Sequence, residues 1–173
     1  MNKDVILQQA REQLAEVVRG PHTETPVEPP FPMSPWLAMS LLQKAIRRGR
    51  TDLALIAAAT LLRDAPDRLW RRIGIVAFED IGVADLETLQ LAMAATSSKA
   101  FRAKLGGEWA VACSIVAQMS MAAKCRAADD LVMAVQHHPS LREARQVLAE
   151  LPTRDLIAIA MGRDHLPLRA LVH

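Results

Sequence analysis

The chain has 173 residues, 21 Lys and Arg against 19 Asp and Glu, and a formal net charge of +2, a balance that excludes a strongly basic domain built for non-specific nucleic-acid binding. Hydrophobic residues make up 51% but aromatics only 3%, with no Tyr. This aliphatic mix favours close-packed helices over sheets, where aromatic and β-branched residues concentrate.

In chain order, Asp4–Arg19 carries Leu7, Ala10, Leu14, Val17 and Val18 on one helical stripe and stops at Gly20-Pro21. Pro21–Pro35 holds six of the ten prolines and reads as an extended connector. Ser34 is placed to cap a second helix with Pro35 in its first turn, running to Gly49. Residues 1–33 therefore form an N-terminal helix and connector, and residues 34–173 a helical domain. Asp52–Ala65 is apolar almost all round and predicts a central helix. A helix from Pro66 runs towards Asp80 and ends at Gly82, with Gly74 inside it marking a close helix–helix approach. Asp85 caps a helix to about Ala95, Ser97–Gly107 is a short helix or loop, and Glu108–Ala123 is a second all-round apolar helix. Ala127–His137 is amphipathic and stops at Pro139; Ser140 with Glu143 predicts a capping box for a helix to Leu151. Pro152-Thr153 opens the last helix to Met161, with Gly162 as its terminator.

No run alternates as a strand would, so the fold class is all-α, a bundle of eight or nine helices with two buried helices at its centre. No signal peptide opens the chain, and the longest nearly uncharged run, Trp109–Ala123, falls short of the ~20 residues a membrane span needs. A soluble, cytoplasmic protein without a membrane partner is expected.

Three segments carry a family likeness: LQKAIRRG at Leu42–Gly49, the helix pair after it, and AFEDIGVAD at Ala77–Asp85. LQLAMAA at Leu89–Ala95 and SIVAQMSMAAKCRAADDLVMAV at Ser114–Val135 extend it more loosely. Together they resemble the C-terminal helical domain of the replication-associated AAA+ ATPases of the RarA (MgsA) type, which is itself similar to the oligomerising collar of clamp loaders. That family carries its nucleotide-binding core upstream of this region, whereas only residues 1–39 precede it here, so the expectation is a stand-alone helical domain without the motor. The resemblance implies a non-enzymatic module that self-associates as a dimer or tetramer, with a replication or repair AAA+ protein as a further partner. Where the family has a Lys-Ser-Asn sequence, Lys124 matches while Cys125 and Arg126 depart.

The residues themselves agree on the missing motor. There is no GxxxxGK[ST] loop to cradle phosphates, and Gly106-Gly107 is followed by Glu108, which repels them. No nucleotide or other cofactor is expected. Glu79, Asp80 and Gly82 invite a catalytic reading, but adjacent helical residues point about 100° apart and make no acid–base pair alone. A structural role at the helix end, with ion pairing and a glycine terminator, is the simpler reading. Lys44, Arg47 and Arg48 fall at i, i+3, i+4, and Arg68, Arg71 and Arg72 repeat the spacing two helices later. Two such stripes would grip a phosphate backbone, giving the alternative of a DNA-binding accessory protein. Against it stands a solvated face with arginines paired to Asp52, Asp64 or Asp67. A third reading, a small-molecule enzyme with a carboxylate-lined pocket, has no complete constellation behind it. His137-His138 suits a helix C-terminus better than a metal site. Cys113 reads as a buried small hydrophobe, and Cys125 sits between two cations without a catalytic partner. Trp36, Trp70 and Trp109 stand near helix starts, as core-edge residues or as anchors for a partner.

Overall fold

The computed structural model describes residues 3–20, 32–163, 167 and 169; most of the proline-rich connector lies outside them. Among the described residues the chain is all-α, with ten α-helices, one π-helical turn, two 3-10 turns and no strand. It divides into two units, residues 1–125 and residues 126–173.

The first unit contains α1 (Lys3–Val18), α2 (Pro35–Arg47), α3 (Thr51–Asp64), α4 (Pro66–Val76), α5 (Leu86–Ser97), α6 (Lys99–Lys104) and α7 (Glu108–Met121). Local chemistry starts α2 and α5 where the sequence predicts, and α6 at a serine cap that is not among the predicted ones. Ser34 Oγ accepts the Leu37 N–H at 3.3 Å, with Pro35 next to it in the first turn. Asp85 Oδ1 accepts the Thr88 N–H at 2.9 Å, and Ser98 Oγ accepts that of Phe101 at 3.3 Å. Each cap satisfies a donor that the helix cannot. Helix α3 packs against α2, α4 and α7, and α1 lies on α5. Leu42, Ile46, Leu61, Leu69, Ile73, Ile115 and Met119 are fully buried in one core. Small residues fill the spaces between these larger ones: Ala54, Ala57 and Ala58 on α3, Ala92, Ala94 and Ala95 on α5, and Ala112 on α7 are all buried. Cys113 is buried among them, as expected of a small hydrophobe. Hydroxyls within the core serve their own helices. Thr60 donates to the Ile56 carbonyl at 2.9 Å and Ser120 to that of Val116 at 2.8 Å, so neither leaves an unmade hydrogen bond.

Two expectations for this unit need correction. The helix from Pro66 does not run unbroken to Asp80: α4 ends at Val76 and continues as a π-helical turn, Ala77–Ile81, before the 3-10 turn Gly82–Ala84. Gly74 marks no close approach either, because a Cβ built there would meet nothing within 4 Å. The glycine faces open space and only weakens its helix.

The second unit holds α8 (Ala127–His137), a 3-10 turn at Pro139–Leu141, α9 (Arg142–Ala149) and α10 (Thr153–Met161). The expected capping box at Ser140 is absent. Helix α9 starts one residue later, at Arg142 with Leu141 at its cap, and the Ser140 N–H points back to His138 Nδ1 at 3.3 Å. Proline at 139 closes a 3-10 turn first, which uses the serine locally. Arg145 Nη1 donates to the carbonyls of Val135 at 2.8 Å and His138 at 3.0 Å, covering the end of α8. Gly162 follows α10 with φ −78°, an extended conformation in place of the left-handed terminator expected.

Candidate functional site

The π-helical turn carries the most connected polar cluster in the first unit. Asp80 is fully buried and accepts from Arg47 of α2 twice, Nε to Oδ1 at 2.7 Å and Nη2 to Oδ2 at 3.3 Å. Gln43, one turn earlier on α2, donates to Asp80 Oδ2 at 3.1 Å and to Glu79 Oε2 at 3.2 Å. Its own carbonyl accepts from Arg72 Nη1 of α4 at 3.2 Å. The Asp80 carbonyl accepts the Cys125 N–H at 2.9 Å. Beside that strand of contacts, Gly82 has φ +53°, and a Cβ there would lie 3.2 Å from the Cys125 carbonyl oxygen. Glu79, Asp80 and Gly82 thus sit at one junction of α2, α4 and the chain leaving α7. The carboxylate is held from α2, 33 residues away in sequence.

Lys124 extends the cluster. Its Nζ donates to the Ser120 carbonyl at 3.2 Å and to that of Ala122, closing the C-terminal end of α7. Burial pushes this ammonium below the ordinary lysine value, while the charges of Asp80 and Asp85 work in the opposite direction. With both oxygens engaged by donors from α2, Asp80 ties the π-helical turn to that helix.

The two basic stripes are consequently unlike one another in use. Lys44 on α2, Arg48 just past its end, and Arg68 and Arg71 on α4 are exposed, whereas Arg47 is committed to Asp80 and Arg72 to Gln43. Two of the aspartates near the stripes pair elsewhere. Asp52 takes Arg50 at 2.9 Å and Asp64 takes Arg63 at 2.8 Å. Arg68, Arg71 and Arg72 line a cleft of about 230 Å³ together with Trp36, Met39 and Ile75. The indole of Trp36 is 73% exposed.

A second polar centre gives no sign in the sequence. Arg102 of α6 is only 6% exposed; its guanidinium lies 4.0 Å from the centroid of the Trp70 ring, and Nε lies 3.1 Å from Glu108 Oε2. Nη1 donates to the Ala95 carbonyl at 2.9 Å, and the Trp70 indole N–H donates to Glu108. Trp70 is therefore a core residue held by a cation, and Trp109 is half-buried. A cleft of about 280 Å³ opens on this triad, with Lys99 and Asp67 on its walls.

The third feature is an apolar groove of about 340 Å³, lined by Ile6, Leu7 and Ala10 of α1, Phe78 of the π-helical turn, and Leu89, Gln90 and Met93 of α5. Phe78 is 53% exposed and Met93 43%. Among the described residues no three His, Cys, Asp or Glu side chains are grouped so as to hold a metal ion, and no helix is long and apolar enough to cross a membrane. Comparison with protein-family models, with curated proteins and with solved structures finds no match in any of the three.

Proposed function

We propose that this chain is an assembly module that associates with copies of itself, as a dimer or tetramer, in a replication or repair setting. The observation that carries the reading is the apolar groove in which Phe78 and Met93 stand half in water. Large apolar side chains gathered in one concave place are what an interface hides. One wall of the groove comes from two segments that resemble the RarA-type helical domain, the other from α1. Phe78 belongs to AFEDIGVAD, and Leu89, Gln90 and Met93 belong to LQLAMAA. In that family the domain holds subunits together, and an isologous contact between two copies would cover both grooves at once. The replication or repair setting comes from the resemblance alone.

Light scattering coupled to size exclusion tests this over a tenfold range of protein concentration. The expected mass is that of a dimer or tetramer, and Phe78→Asp with Met93→Lys should give monomer with an unchanged far-ultraviolet spectrum. A monomeric mass for the unmodified chain at every concentration sinks the proposal. An unchanged oligomer in the double variant removes the groove as its basis.

A further inference from the structure

We propose that the cleft between α2 and α4 is a binding site for single-stranded nucleic acid, with a base stacked on Trp36 and the adjoining phosphates held by Arg68 and Arg71. Three features of the cleft lead there. First, its floor and one wall are apolar (Met39, Ile75 and the Trp36 indole), and the indole is 73% exposed, so a flat ring has a face to lie on. Second, the polar groups along its rim are all guanidinium donors. Arg68 and Arg71 are exposed, Arg72 closes the inner side, and no carboxylate is among the lining residues described. The Nε of Arg72 is buried without an acceptor among the described residues, although buried donors are nearly always satisfied. Third, the cleft's ~230 Å³ lies below the range of about 300–1,000 Å³ typical of sites that enclose a whole small molecule. It suits one ring of a longer ligand whose remainder lies outside.

The donor-only rim decides between classes of polymer. A peptide strand presents its own N–H groups and needs acceptors, which these side chains do not supply. A nucleic-acid backbone presents phosphate oxygens alone and needs only donors. Stacking on Trp36 further requires an unpaired base, which a duplex keeps inside its stack. The near-zero overall charge is no obstacle, because contact is confined to one ligand segment.

Fluorescence anisotropy of a labelled oligothymidylate, titrated with the full chain, tests the site. The expected result is binding that weakens with salt and exceeds that of a duplex of the same length. Arg68→Ala with Arg71→Ala should lower the steepness of the log–log salt dependence by about 1.4, the value for two single-strand phosphate contacts. Trp36→Ala should weaken binding about tenfold or more while Trp36→Phe keeps most of it. All three residues are exposed, and a far-ultraviolet spectrum checks that the variants remain folded. Absence of binding at low salt, equal affinity for the duplex, or unchanged affinity in either the double arginine variant or Trp36→Ala overturns the proposal. So does an acidic, leucine-containing peptide that shifts Trp36 emission when the oligothymidylate does not, which would give the cleft to a protein partner.

Discussion

Removing the Asp80 side chain should be among the most damaging single changes in the first unit, and its cost can be worked out from the geometry. Asp80→Ala abolishes two charge-assisted bonds from Arg47 and one bond from Gln43, and leaves a void where a fully buried carboxylate stood. Breaking a buried ion pair from one side costs about 3–5 kcal/mol when the surviving charge stays buried. Here the survivor is Arg47, whose side chain is 35% exposed and can turn towards water, so about 2 kcal/mol is the fitting share. The lost Gln43 bond adds about 1 kcal/mol. The sum, about 3 kcal/mol, corresponds to a fall in Tm of about 6–12 °C for a chain of this size. The reverse change, Arg47→Ala, should cost more, since it takes two charge-assisted bonds from a carboxylate that is fully buried. Urea unfolding followed at 222 nm measures both, and the double variant should show a coupling of about 1–3 kcal/mol. A loss under 0.5 kcal/mol for Asp80→Ala, or a smaller loss for Arg47→Ala than for Asp80→Ala, would refute the argument.

Two glycines should respond in opposite senses. Gly74→Ala adds a methyl group where nothing lies within 4 Å and should raise stability by about 0.5–1 kcal/mol. Gly82→Ala forces an L-residue to φ +53° with its Cβ 3.2 Å from the Cys125 carbonyl and should lower it by about 1–2 kcal/mol or more; thermal melts of both variants check the pair. For Lys124 the sign follows from burial, which lowers its folded pKa. Between that lowered value and the ordinary ~10.4 the unfolded chain binds more protons, so stability rises with pH through the window and levels above it. The stability difference between the unmodified chain and Lys124→Met should therefore move in favour of the unmodified chain as pH rises towards that value. A difference independent of pH would show that the ammonium is not desolvated.

Helix order and most helix starts were legible because they depend on local chemistry. Apolar spacing identified α3 and α7 as core helices, and the Ser34 and Asp85 caps are set by side chains within three residues of the amides they serve. What depended on distant partners was not legible. That Asp80 would choose Arg47, 33 residues away, leaves no trace in the spacing of either helix. Lys44, Arg47 and Arg48 look equivalent as sequence, yet packing turns one inward and leaves two in water. Arg102 is harder still, since its burial depends on Ser98 and the Gly106-Gly107 turn folding α6 back so that Glu108 meets it. Ser140 failed for a local reason: proline at 139 competes for the same residues with a tighter turn. The division after Cys125 is likewise unmarked by Pro or Gly.

The alanine faces of α3, α5 and α7 have a consequence for how the helices find their register. An alanine gives up no rotamers on packing, so these contacts form at little entropic cost. An alanine itself offers no ridge to interlock, so at these positions register rests on the larger neighbours such as Leu61, Leu91 and Ile115. Contacts with direction add to this. The bidentate grip of Arg47 on Asp80 does so between α2 and the end of α4, and the Trp70–Arg102–Glu108 triad does so where α4, α6 and α7 meet. The polar pair and triad act as detents, adding direction to an alignment that the aliphatic core holds by shape alone.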